Sequence, residues 1–153
     1  MKETSKIILP GEGLGRIQFG MSREVVRKIA GNPDEIESYQ QSGTESNKAE
    51  AWHYDEAEIS FAFEEFNQWK LTSIAISSDE YSLQDKRLIG MTWQEVIPLL
   101  GKMDLGEINY ENFTDEDEPD VKLITIENAG LNLWFENNRL TEIQYSQLWE
   151  EKD

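Results

Sequence analysis

Cysteine is absent from the 153 residues. Disulfides, thiolate zinc sites, iron–sulfur clusters and a cysteine nucleophile are thereby excluded. Histidine occurs once, as His53, which leaves no basis for an imidazole-rich metal cage. Basic residues are scarce: 14 Lys and Arg stand against 31 Asp and Glu, a formal charge of −17. Nucleic acid and anionic membranes both require a basic surface, so neither is expected as a direct partner. Long apolar runs are missing too. The N-terminal run Ile7-Ile8-Leu9 ends at Pro10, short of the roughly 7–15 residues of a secretory signal. No stretch approaches the roughly 18 residues of a membrane-spanning helix. The expectation is a soluble, cytoplasmic chain, and the lack of cysteine suits a reducing compartment.

Core-forming residues are plentiful. Ile, Leu, Val and Phe number 37 and the aromatics 16, above the rough 20% aliphatic-plus-Phe level below which chains stay disordered. A chain of this length buries roughly 68–70% of its unfolded surface as one domain.

The segment Gly20-Met21-Ser22 to Gly31 lies over Gly90-Met91-Thr92 to Gly101 without a gap, at an offset of 70. Ser22 and Thr92 are N-cap residues whose hydroxyls accept from first-turn amides. Val25, Val26 and Ile29, and Val96, Leu99 and Leu100, follow at helical spacing. Gly31 and Gly101 stop each helix, and Pro98 should kink the second or delay its start. Period-2 alternation then marks strands at 52–54, 59–63 and 72–76, and again at 121–126, 131–135 and 141–145. Glu136-Asn137-Asn138-Arg139 reads as a tight hairpin. The expected fold is α+β: a tandem repeat, 1–78 and 79–153, of a short helix plus a three- or four-stranded antiparallel sheet, with the helices packed on one sheet face.

Alternation also sorts the strands into faces. Trp52, Tyr54, Ile59, Phe61, Phe63, Ile74, Ile76, Leu131, Leu133, Phe135, Ile143 and Tyr145 form the expected core. His53, Asp55, Ser60, Ala62, Ser73, Ala75, Asn132, Trp134, Glu142 and Gln144 form a wet face. Small residues there predict a shallow concavity, and an exposed Trp is a common interface anchor. Residues 38–50 read as a mobile connection. Residues 104–120 hold eight acids and no Lys or Arg, so residues 79–153 carry −12 against −5 for residues 1–78.

The two segments, Phe19-Gly20-Met21-Ser22 to Gly31-Asn32-Pro33 and Ile89-Gly90-Met91-Thr92 to Gly101-Lys102-Met103, resemble the signature of the beta-lactamase inhibitory protein and of the related small lipoprotein of the outer-membrane assembly machinery. The resemblance spans roughly residues 15–145. It implies a helix-backed sheet that binds another protein, and no catalytic residues. Those families are secreted or lipid-anchored, often with disulfides or an anchoring cysteine, and this chain departs from them in lacking any cysteine.

Chemistry-bearing patterns are weak. Asp115-Glu116-Asp117-Glu118-Pro119-Asp120 lacks the spaced ligands, turn glycine and closing Glu of a calcium loop. Gly11-Glu12-Gly13-Leu14-Gly15 lacks the Lys-Ser/Thr of a phosphate loop and reads as a turn. His53 reads as an exposed strand residue. No cofactor and no metal are expected. The charge is the main clue: an acidic surface attracts basic proteins and speeds their docking. The leading expectation is a non-enzymatic inhibitor or immunity-type protein that neutralises a basic partner such as a bacterial nuclease toxin. Its partner-binding residues would be Asp115, Glu116, Asp117, Glu118, Asp120, Trp134 and Glu142. The alternatives are a scaffold or assembly factor, and a small carboxylate-dependent hydrolase using His53.

Overall fold

Residues that alternate apolar and polar bury one face of a strand and leave the other wet, and that pattern governs most of this molecule. The computed structural model describes residues 6–40, 48–113 and 120–148. The chain opens with a small three-stranded antiparallel sheet, β1 (Ile8–Leu9), β2 (Gly13–Leu14) and β3 (Ile17–Gln18). Helix α1 (Arg23–Ala30) follows, then β4 (Glu35–Gln40), β5 (Lys48–Tyr54), β6 (Ile59–Glu64) and β7 (Lys70–Ile76). Helix α2 (Trp93–Met103) leads into β8 (Asn109–Asn112), β9 (Val121–Ile126), β10 (Leu131–Glu136) and β11 (Arg139–Ser146).

The architecture corrects the expectation of an α+β tandem repeat. The protein is mostly β, and β4 to β11, from both halves of the chain, form one eight-stranded antiparallel sheet in the order β4-β5-β6-β7-β11-β10-β9-β8. Only two α-helices are present among the described residues. The join is the pairing of β7 with β11, where Ile76 faces Ile143 and Ile74 faces Tyr145. Both strands carry an apolar face toward the same core. Two separate half-sheets would have left both strands with unpaired edges, which the pairing removes.

All twelve residues assigned to the core face are at most 2% exposed. They share one cluster with Val26 and Ala30 of α1, Val96, Leu100 and Met103 of α2, and Ile8, Leu14 and Ile17 of the small sheet. The small sheet is tied to the large one by a buried hydrogen bond: the Tyr145 hydroxyl donates to the Gly13 carbonyl at 2.9 Å. Gly13 has φ +150, and a β-carbon there would lie 2.0 Å from the Ile17 carbonyl oxygen. Only glycine fits that approach.

The helix starts form as their caps predict. The Ser22 hydroxyl accepts from the Val25 amide, and Thr92 and Glu95 form a reciprocal capping box. Each start is pinned to a strand. The Gly20 amide donates to the Leu71 carbonyl and the Leu71 amide to that of Met21, while Gly90, Leu140 and Met91 repeat the pair. Gly20 and Gly90 have φ of 91° and 96°. Gly31 ends α1 with φ 88, but Gly101 does not end α2. That helix runs on to Met103 and stops at Asp104, with φ 53. Pro98 lies inside it without delaying its start. Asn137 and Asn138 both take positive φ in the β10–β11 turn, as a tight hairpin requires.

The three two-residue strands of the small sheet are too short to show alternation, and Gly13–Leu14 is a strand inside the expected turn 11–15; two strands of the large sheet also escape the rule. β4 occupies part of the expected loop 38–50, and β8 part of the acidic segment 104–120. Both are fully exposed edge strands.

Candidate functional site

The wet face of the sheet is continuous across both halves of the chain. One cross-strand row traverses all eight strands: Glu35, His53, Ser60, Ala75, Gln144, Asn132, Thr125 and Asn109. No Lys or Arg stands in it. Ser60 and Ala75 are small, so the middle of the row is low, and a depression of about 250 Å³ opens there. Its walls include His53, Asp55, Glu58, Ser60, Ser77 and Glu142. A second depression of about 390 Å³ adjoins it, sharing Ser77 and Glu142 and adding Val121, Trp134, Glu136 and Thr141. Together they form a groove lined by four carboxylates, with no basic side chain other than His53.

A bulge shapes one wall. Between Trp134 and Phe135 the β10–β11 register shifts by one residue, and the Thr141 hydroxyl of the bulge donates to the Trp134 carbonyl at 3.2 Å. Trp134 stands directly across from Glu142. Its ring lies 5.8 Å from that of Phe113, at 30°. Trp134 is half-buried and Phe113 is 45% exposed, so the groove ends on an aromatic shoulder. Burial raises the Glu142 carboxyl above its ordinary pKa, and the neighbouring Glu136 charge raises it further.

His53 is half-buried on β5. Its Nδ1 is hydrogen-bonded to the Ser60 hydroxyl at 2.7 Å, and its Nε2 lies 3.9 Å from Glu37. The imidazole therefore stands between a serine hydroxyl and a carboxylate. A hydrolytic triad also needs amide donors for an oxyanion. Ser60 sits in mid-strand, paired with His53 on one side and Ala75 on the other, so its main chain is committed to the sheet. No group of three or more His, Asp and Glu suited to a metal occurs among the described residues.

Of the residues singled out in the sequence, Trp134 and Glu142 meet in the groove. Asp120 is half-buried immediately before β9, beside the groove residue Val121, and its carbonyl accepts from the Asn137 amide. Asp115, Glu116, Asp117 and Glu118 lie outside the described residues. Glu136, Glu58 and Ser77 were missed. Glu136 was within reach, because it continues the Asn132–Trp134 parity by one more step. Glu58 and Ser77 sit just outside strand ends, where alternation gives no signal.

No protein-family model matches the chain, and no curated protein matches it. Among solved structures, it is similar to an extracellular protein containing a SCP domain from Bacillus anthracis str. Ames, with 14% identity and a TM-score of 0.47. The similarity covers 84% of this chain and 43% of that one, so this chain spans under half of that protein's length. No helix among the described residues is long and apolar enough to cross a membrane.

Proposed function

We propose that the protein is a non-enzymatic binding module that holds a basic partner protein in the groove on the open sheet face. One observation carries the reading: four carboxylates and a tryptophan line two adjoining depressions that share Ser77 and Glu142 and are lined by no Lys or Arg. A guanidinium or ammonium side chain entering the groove meets Glu142 and Glu136 while its stem lies against Trp134, a favourable pairing of charge and aromatic face. The net charge of −17 adds long-range attraction that speeds encounter. An inhibitor or immunity-type role, in the cytoplasm and against a basic toxin such as a nuclease, fits this chemistry, since enzymes that cleave nucleic acid need basic clefts. The resemblance of residues 19–33 and 89–103 to an inhibitory binding protein implies the same class. In this reading Asp115, Glu116, Asp117, Glu118 and Asp120 belong to the acidic surface that meets the partner.

The test compares two double variants of equal charge by titration calorimetry with an oligo-arginine peptide at low salt. Glu136→Gln with Glu142→Gln should weaken binding about tenfold, the effect of removing two close charge pairs. Glu24→Gln with Glu127→Gln, at exposed positions that do not line the groove, should weaken it less than about twofold, as dispersed surface charge does. Equal losses in the two variants would mean that the peptide reads net charge and that the groove is not the site.

A further inference from the structure

Among the described residues, strand β4 is one edge of the eight-stranded sheet. One side pairs with β5 over six unbroken residue pairs, from Glu35 opposite His53 to Gln40 opposite Lys48. The other side pairs with no strand among the described residues. Natural sheets blunt such edges with charged side chains, proline, a bulge or short length. The sequence Glu35-Ile36-Glu37-Ser38-Tyr39-Gln40 has no Lys or Pro, its register with β5 has no shift, and all six residues are exposed; its only charges, Glu35 and Glu37, repel an acidic strand and favour a basic one. Ile36 is 46% and Tyr39 41% exposed, so the edge presents apolar surface as well as charge.

We propose that β4 is a docking edge, and that its occupant is an extended segment of the basic partner that adds to the sheet as a ninth strand. The proposal rests on the reading that the partner is basic, and adds where and in what conformation it binds. Added strands gain affinity from main-chain hydrogen bonds and specificity from alternate side chains. Here the alternation is readable. Glu35 and Glu37 share the open face with His53 and Ala51, their cross-strand partners, while Ile36 lies on the other face with Trp52. The matching segment therefore carries Lys or Arg at two positions two apart, toward Glu35 and Glu37, with an apolar residue between them toward Ile36. A second copy of this chain is the wrong occupant. Two β4 strands would bring Glu35 and Glu37 against their equivalents on chains that each carry −17, and like charges across strands destabilise the pairing.

The edge and the groove belong to the same surface. His53, opposite Glu35, lines the groove at its near end. A strand on β4 lies one interstrand spacing, about 4.8 Å, beyond that edge. Its open-face side chains stand on the same face of the sheet as the groove, with β5, β6 and β7 between it and Glu142 on β11, so a folded partner that covers this face reaches both.

The test uses the full chain, isotope-labelled for NMR, and a peptide of about ten residues with alternating lysine and valine. Binding should perturb the Ile36 and Ser38 amides and slow their hydrogen exchange at least about tenfold, because both would enter a ladder. Methylating every second peptide nitrogen keeps charge and side chains but removes edge donors, and should weaken binding about tenfold or more. The double variant Glu35→Lys with Glu37→Lys, at exposed positions, should do the same. Equal affinity for the methylated peptide would overturn the proposal, since binding would then need charge but no ladder. Perturbations confined to Trp134, Glu136 and Glu142 would also overturn it, while leaving the groove reading standing. Dimerisation of the peptide-free chain with protection at Ile36 would assign the edge to a second copy and overturn it too.

Discussion

Replacing Tyr145 with phenylalanine deletes one oxygen from the centre of the molecule. Tyr145 is 0% exposed, and its hydroxyl donates to the Gly13 carbonyl across 132 residues of sequence. The phenylalanine ring keeps the packing, including the edge-on contact with Phe19 at 5.7 Å. What is lost is one buried hydrogen bond, and the Gly13 carbonyl loses a donor. Such a loss costs about 1–3 kcal/mol, with about 2 kcal/mol as the working figure. For a chain of this size that lowers Tm by about 4–8 °C. Urea melts of the Tyr145→Phe variant at neutral pH, followed by tryptophan fluorescence, measure it directly. The midpoint should fall with an unchanged slope, since the exposed surface on unfolding is the same. A change below about 0.3 kcal/mol, within the scatter of ordinary surface substitutions, would refute the claim that this bond ties the small sheet to the large one.

Gly13→Ala should be worse. Its β-carbon would meet the Ile17 carbonyl at 2.0 Å and Gln18 Cα at 2.8 Å, both backbone atoms that cannot swing away. A cost of about 3 kcal/mol or more follows from strain and overlap, and Tyr145→Phe made on top of it should cost little further. Stability should fall at alkaline pH. Burial raises the hydroxyls of Tyr54, Tyr81 and Tyr145 above their usual value, Tyr54 to about 12. The folded state therefore holds these protons more tightly, and stability is full below about pH 10 and is lost as pH rises through the folded values. Urea midpoints at neutral pH and at about pH 11, beside tyrosinate absorbance, check the sign. In the groove, burial and Glu136 raise the Glu142 carboxyl, so a cation there competes with a proton. Oligo-arginine affinity should drop as pH falls into the carboxylate range, and Glu142→Gln should flatten that dependence.

The sequence made the buried face readable because strands 52–54, 59–63, 131–135 and 141–145 each carry large apolar residues at every second position. The helix starts were readable because Ser22 and Thr92 sit one residue ahead of helical periodicity. β4 and β8 were not, because an edge strand is held by main-chain pairing and its exposed side chains follow no apolar rhythm: Asn109-Tyr110-Glu111-Asn112 reads as a loop. The single sheet was not readable either. The pairing of β7 with β11 joins residues about 70 apart, and local patterns carry no information about which edges meet. The end of α2 at Asp104 in place of Gly101 shows the same limit, since Met103 is drawn into the core cluster and carries the helix past the glycine. In the groove, Trp134 and Glu142 were visible as wet-face residues. Their company was not: Glu58 and Ser77 arrive from outside the strand ends.

The central claim is that the groove between His53 and Trp134 receives a cationic side chain. Chemical-shift mapping of the intact chain with oligo-arginine, at low and at high salt, tests it most directly. The account predicts saturable shifts concentrated at the Trp134 indole, Glu136, Glu142 and Ser77, weakening as salt screens the field. Shifts spread evenly over exposed carboxylates, or gathered on the helix face with the groove silent, would contradict it.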